Sequence, residues 1–253
     1  MPNQYDEIMY KNNYLSKVII RIDFLSPIKK IENELPPQIS KIIKSNYPIA
    51  EPKKGVSEKK TILKDGNINT FISEKTAWHF YGKEREKELV IIPEAIFVNY
   101  LKYTSYEELK REFQEVINKY FELFNEAQIS RLGLRYINDI SLNEDNPLNW
   151  GAYLKEDISC LSNFIQEKQF LSRIISSIEM NYGDFNLRFQ FGLFNSDFPA
   201  PIKKKNYLLD FDAYYQGLQD PNQVMPNLDK YHTKIQELFE FSITDKLREK
   251  LNE

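Results

Sequence analysis

RLGLRYIND, residues 131–139, decides how the rest of the chain is read. Successive side chains of an extended strand point to opposite faces. Leu132, Leu134, Tyr136 and Asn138 therefore share one face with Ile140, while Arg131, Gly133, Arg135, Ile137 and Asp139 share the other. The first face suits a core and the second carries charge. The same division recurs in LDFDAYY (209–215), where Leu209, Phe211, Ala213 and Tyr215 oppose Asp210, Asp212 and Tyr214. FNLRFQF (185–191) repeats it through Arg188 and Gln190, and YLSKVIIRIDF (14–24) through Arg21 and Asp23. Strands of this kind belong to an antiparallel sheet with one packed face and one polar face.

Helices to cover the apolar face are equally visible. Ser105 and Glu108 form a capping box, and Leu109, Phe113, Val116, Ile117, Tyr120, Phe121 and Phe124 follow on one helical face, which predicts a helix over 105–124. A second long helix begins near Pro226, with Leu228, Tyr231, Ile235, Leu238 and Phe239 as its stripe and a fresh cap at Ser242. Pro36-Pro37 opens a short helix with Ile39, Ile42 and Ile43, and another short helix is expected at 153–166. Strands are expected at 59–64, 68–81 and 87–101, with turns at Asp65-Gly66-Asn67 and GKEREK (82–87), and later at 170–182. EPKKGVSEKK (51–60) reads as a lysine-rich loop. The fold class is α+β, an antiparallel sheet with long amphipathic helices packed on one face. YLSKVIIRIDF (14–24) and FLSRIISSIEM (170–180) align without gaps, which marks 1–141 and 153–253 as candidate pseudo-repeat halves of a single unit.

Composition limits the chemistry. With 34 basic and 37 acidic residues among 253, the net charge of −3 sets up no strong field, which disfavours nucleic-acid binding despite the basic stretches KKGVSEKK and PIKKKNY. Cys160 is the sole cysteine, so there is no intrachain disulfide and no multi-cysteine metal site; it reads as a small buried hydrophobe. His79 and His232 are the only histidines; His79 is expected to be exposed and His232 to sit at the core edge. The eight glycines form no phosphate-cradling loop, and no apolar run spans a bilayer, so a cytoplasmic protein without membrane contact or cofactor is expected.

The charged face carries the candidate site: Arg131, Arg135 and Arg188 with Asp210 and Asp212, the two aspartates being the only acids that a catalytic role for His232 would pair with it. Three readings follow from these residue types. Arginine forks and carboxylates can interlock across strands as a ladder. Arginines can floor a site for a small anionic ligand, with Gly133 allowing close approach. Asp210 and Asp212 can hold Mg²⁺ for a phosphate-containing substrate, although further oxygen ligands are not evident. The ladder fits the strand periodicity best, and no catalytic residue or metal ligand is assigned.

R-x-G-x-R-Y-I-N after a long helix, L-D-F-D in a late strand, and the C-terminal Y-H-x-x-I-x-x-L-F-E-F-S-I-T-D-K-L resemble the marks of a sporadically distributed, uncharacterised prokaryotic family of roughly this length. The resemblance implies a cytoplasmic prokaryotic protein, patchily inherited as accessory or defence-associated genes often are, and it transfers no catalytic residue. Together these readings point to a non-enzymatic binding protein with a protein partner or anionic ligand on the arginine-bearing face. A Mg-dependent enzyme using Asp210 and Asp212 is the alternative.

Overall fold

A computed structural model of the chain describes residues 8, 10–62 and 68–253. Among the described residues, nine strands form one antiparallel sheet: β1 (Leu15–Phe24), β2 (Ile49–Ile62), β3 (Ile68–Tyr81), β4 (Lys87–Ile92), β5 (Ala95–Tyr100), β6 (Ile129–Leu142), β7 (Ile174–Asn181), β8 (Asn186–Leu193) and β9 (Lys205–Gln219). Their order across the sheet is β2-β3-β4-β5-β1-β6-β9-β8-β7. Helices α1 (Pro37–Asn46), α2 (Tyr106–Leu123), α3 (Glu156–Ser159), α4 (Val224–Ser242) and α5 (Asp245–Leu251) complete the fold, an α+β architecture. None of the helices among the described residues is long and apolar enough to cross a membrane.

The alternation of the central strands produces this arrangement. Val18, Ile20 and Ile22 of β1, Ile96 and Val98 of β5, Leu132 and Leu134 of β6, and Leu209, Phe211 and Ala213 of β9 are fully buried on one side of the sheet. The helices deliver Ile39 and Ile43, Leu109, Phe113, Val116 and Ile117, and Leu228, Tyr231 and Ile235 to that same core. Ser105 caps α2 by accepting from the Glu108 backbone N–H at 3.2 Å, as the capping box requires. Pro226 lies in the first turn of α4, where a missing N–H costs no helical bond. The α4 run breaks at Ile243, which bridges Leu154, and α5 restarts after Thr244 rather than from Ser242.

Several expectations are corrected. The lysine-rich stretch 51–60 is part of β2, paired with β3 from Ile49↔Tyr81 to Ile62↔Ile68. Pro52 is tolerated there because β2 is an edge strand, where a missing N–H need not break the ladder. Of the strand expected at 59–64, residues 59–62 are the end of this longer one, and residues 63–64 with the Asp65-Gly66-Asn67 turn lie outside the described residues. The single strand expected over 87–101 is a hairpin that turns at Pro93-Glu94. The helix expected over 153–166 shrinks to Glu156–Ser159. Cys160 is half-buried just beyond it rather than enclosed. His79 pairs with Glu88 at 2.8 Å instead of standing free in solvent. The two stretches that echo each other in sequence hold different places, β1 in the interior between β5 and β6 and β7 at the margin.

One buried ion pair ties a helix to the sheet. Lys87 of β4 donates to Glu112 of α2 at 2.6 Å, Tyr100 of β5 donates to the other carboxylate oxygen, and the Lys87 ammonium lies over the rings of Tyr47 and Tyr100. Both charges are almost wholly removed from water, so each depends on the other. Glu112→Ala should cost about 3 to 5 kcal/mol by leaving Lys87 unpaired, whereas a joint Lys87→Met, Glu112→Leu replacement should recover most of that loss. Urea denaturation checks both, and a single variant as stable as wild type contradicts the arrangement.

Candidate functional site

The charged residues picked out by strand alternation do meet, on the sheet face that bears no helix. They run across four adjacent strands, β1, β6, β9 and β8, whose register is fixed by pairs such as Asp23↔Arg131, Arg135↔Asp212 and Arg188↔Asp212. Arg135 stands opposite Asp212, yet its guanidinium reaches diagonally along β9 and donates through Nε and Nη2 to the two oxygens of Asp210, at 2.8 and 2.5 Å. This two-pronged bond is the strong form of an arginine–carboxylate pair, and it holds the Arg135 guanidinium above even its ordinary pKa. On the other side of β9, Arg188 Nη2 donates to Asp212 Oδ2 at 2.9 Å.

Arg131 behaves differently. It lies between Asp23 and Asp212 at 3.8 and 3.6 Å, over the ring of Tyr214, and makes no hydrogen bond among the described residues. Gly133 supports this pose: a Cβ there would stand 3.0 Å from Arg131 Nη1, so glycine lets the guanidinium lie close against its own strand. In the ligand-site reading Gly133 admits a ligand; in the structure the group that approaches it is Arg131 itself. Asp23 is in turn held by Arg21 through Nε and Nη2 at 2.8 and 2.6 Å, with Arg21 over the ring of Phe97. Arg21, Asp23, Arg131, Asp212 and Arg188 thus alternate in sign from β1 to β8.

The aspartates are the buried members, with Asp210 only 4% and Asp212 only 7% exposed. Burial pushes the Asp212 carboxyl above its ordinary range, against the lowering pull of Arg131, Arg188 and Arg135. Both carboxylates are turned to arginines, and among the described residues no three His, Cys, Asp or Glu side chains gather as a metal site.

His232 is not part of this face. It projects from α4 into the helical side, where Nδ1 lies 3.1 Å from the Tyr136 hydroxyl and the ring stacks on Tyr106 at 3.9 Å and 8°. The sheet therefore separates His232 from Asp210 and Asp212, so the pairing that a catalytic role for His232 would need does not form, and its hydrogen-bond partner is Tyr136 at the core edge. Instead His232 belongs to an aromatic cluster that strand and helix periodicities did not reveal. Tyr103 and Tyr136 share a hydrogen bond at 3.2 Å, and Tyr106 donates to Asp229 at 2.9 Å. The cluster borders a cavity of about 250 Å³ that Tyr10, Tyr14 and Phe239 also line. Burial pushes the phenols of Tyr103, Tyr106 and Tyr136 well above their ordinary pKa, so they serve as neutral hydrogen-bonding groups near neutral pH. The sole sequence signal for the cluster is the abundance of tyrosine, 16 residues, because its members come from separate segments.

Comparison of the chain with models of known protein families finds no match, and comparison with curated proteins finds none either.

Asp139, the last charged side chain on the helix-free face of β6, has Oδ1 buried with no hydrogen-bond partner among the described residues. Burial raises its pKa above the ordinary 3.8. The unfolded chain then releases this proton at lower pH than the folded one. The stability linked to it is intact below 3.8 and is lost as pH rises through the raised value. Asp139→Asn abolishes that loss. Its melting temperature relative to wild type should climb as pH is raised from below 3.8 toward neutrality, as read by circular dichroism, whereas a difference independent of pH contradicts the assignment.

Proposed function

We propose that this chain is a non-enzymatic interaction protein, an accessory component of a prokaryotic system of the defence-associated kind. It receives a protein partner, through a carboxylate of that partner, on the arginine-bearing face of its sheet. The observation that carries this reading is Arg131. Arg135, Arg188 and Arg21 commit donors to aspartates at hydrogen-bonding distance, whereas Arg131, partly open to water, lies 3.8 and 3.6 Å from Asp23 and Asp212 and makes no hydrogen bond among the described residues. A planar guanidinium so placed matches the two oxygens of a carboxylate. The likeness of RLGLRYIN, LDFD and the C-terminal motif to a patchily inherited prokaryotic family supports the accessory role. The Mg-dependent reading would require Arg135 and Arg188 to release the two carboxylates that they now hold.

Arg131→Gln separates the readings. Because Arg131 makes no hydrogen bond among the described residues, the variant should melt within a few degrees of wild type. Quantitative capture from cells that express the gene naturally should show tenfold or greater loss of the partner. A variant that keeps its partner undiminished contradicts the proposal. Calorimetric binding of Mg²⁺ to wild type that vanishes in Asp212→Asn would favour the enzyme instead.

A further inference from the structure

The two margins of the sheet are built in opposite ways. β2 closes one margin with Pro52, Lys53 and Lys54, all exposed, and its sequence adds Lys59 and Lys60. Proline and lysine on an edge strand are the usual guards against a second chain adding to the ladder. β7 closes the other margin with IISSIEMN, which contains neither residue and carries a single charge, Glu179. Its Ile175 and Ile178 are 40% and 45% exposed. Among the described residues, no backbone group of 174–181 bonds to anything but β8. Among the described residues, the outer row of N–H and C=O groups on β7 is therefore open to pairing.

We infer that β7 is a dimerisation strand, pairing antiparallel with β7 of a second copy of this chain to run one sheet through both. Symmetry and charge select this occupant. A head-to-tail contact of β7 with β2 would be open-ended, and it is opposed by Pro52, which has no N–H to give, and by the lysines. Pairing β7 with itself is closed, because two copies consume both open margins and leave only the guarded ones. An antiparallel register centred on Ile178 places that side chain against its own counterpart. It sets Ser177 opposite Glu179, Ser176 opposite Met180 and Ile175 opposite Asn181, so no two acidic residues stand directly across from each other. The exposed isoleucines are then covered, and Glu179 keeps Arg188 as its cross-strand neighbour within its own copy.

Sedimentation equilibrium of the full chain at tens of micromolar, together with site-specific crosslinking, tests this inference. Wild type should sediment as a dimer. Ile178→Lys, which alters a half-exposed side chain, should retain its circular dichroism spectrum and weaken the dimer at least tenfold. In a Cys160→Ser background, Ile178→Cys should form a disulfide-linked dimer on mild oxidation, since directly opposed Cβ atoms lie about 4.5 to 5.5 Å apart, close enough for a disulfide after small adjustment. Lys53→Cys in the same background should not crosslink. A monomeric wild type overturns the inference. So does a dimer that Ile178→Lys leaves unchanged, or one that crosslinks at position 53 and not at 178.

Discussion

Asp210 and Asp212 lie in the middle of β9 at a place where the strand is buried on both sides although helices cover only one of them. Leu209, Phe211 and Ala213 are closed off by the core, while the two aspartates are closed off by the side chains of their neighbours on β6 and β8. A carboxylate removed from water without a partner costs several kcal/mol, comparable to the stability of a whole domain. The strand can therefore stay central only if cations reach both aspartates. Arg135 and Arg188 do so from opposite sides, which adds a side-chain tie from β6 and another from β8 to the backbone ladders that hold β9 between them.

From that constraint the division of labour between the faces follows. The helical side gathers apolar residues and admits charge at isolated points, such as Lys87 with Glu112, or Lys205 with Glu144 beside the rings of Trp150 and Tyr153. The open side is a sheet of alternating charges in which Asp23, Asp210 and Asp212 each have an arginine hydrogen-bonded to them, while Asp139 has no such partner among the described residues. The two aspartates are not equally served. Asp210 has a two-pronged partner, whereas Asp212 has one hydrogen-bonded arginine and a second at 3.6 Å, and burial lifts its pKa. Among Arg21, Arg131, Arg135 and Arg188, Arg131 is thus the loosely held member.

Much of this face was legible in the sequence, because period-two alternation alone places Arg131, Arg135, Arg188, Asp210 and Asp212 on one side. Register was not legible. Nothing in RLGLRYIND says that Arg135 will bypass the residue opposite it for the one two positions along β9, since that depends on side-chain reach and on how Arg188 occupies Asp212. The 51–60 segment was hidden for a different reason: Pro52 and the lysines look like a loop until the strand is known to be a margin, where those residues are suited. The core-edge position of His232 is legible in the sequence but its partners are not, because helical periodicity gives its stripe and not the tyrosines that α2 and β6 bring to it.

The central claim is that the arginine–aspartate contacts hold the sheet together, and a double-mutant cycle on Arg135 and Asp210 addresses it most directly. Stability of wild type, Arg135→Gln, Asp210→Asn and the double variant, measured by urea denaturation, yields the coupling between the two side chains free of their separate contributions. The geometry of two charge-assisted bonds to a buried carboxylate predicts coupling of about 1 to 3 kcal/mol. A coupling below about 0.5 kcal/mol, the level at which independent sites add, would contradict it.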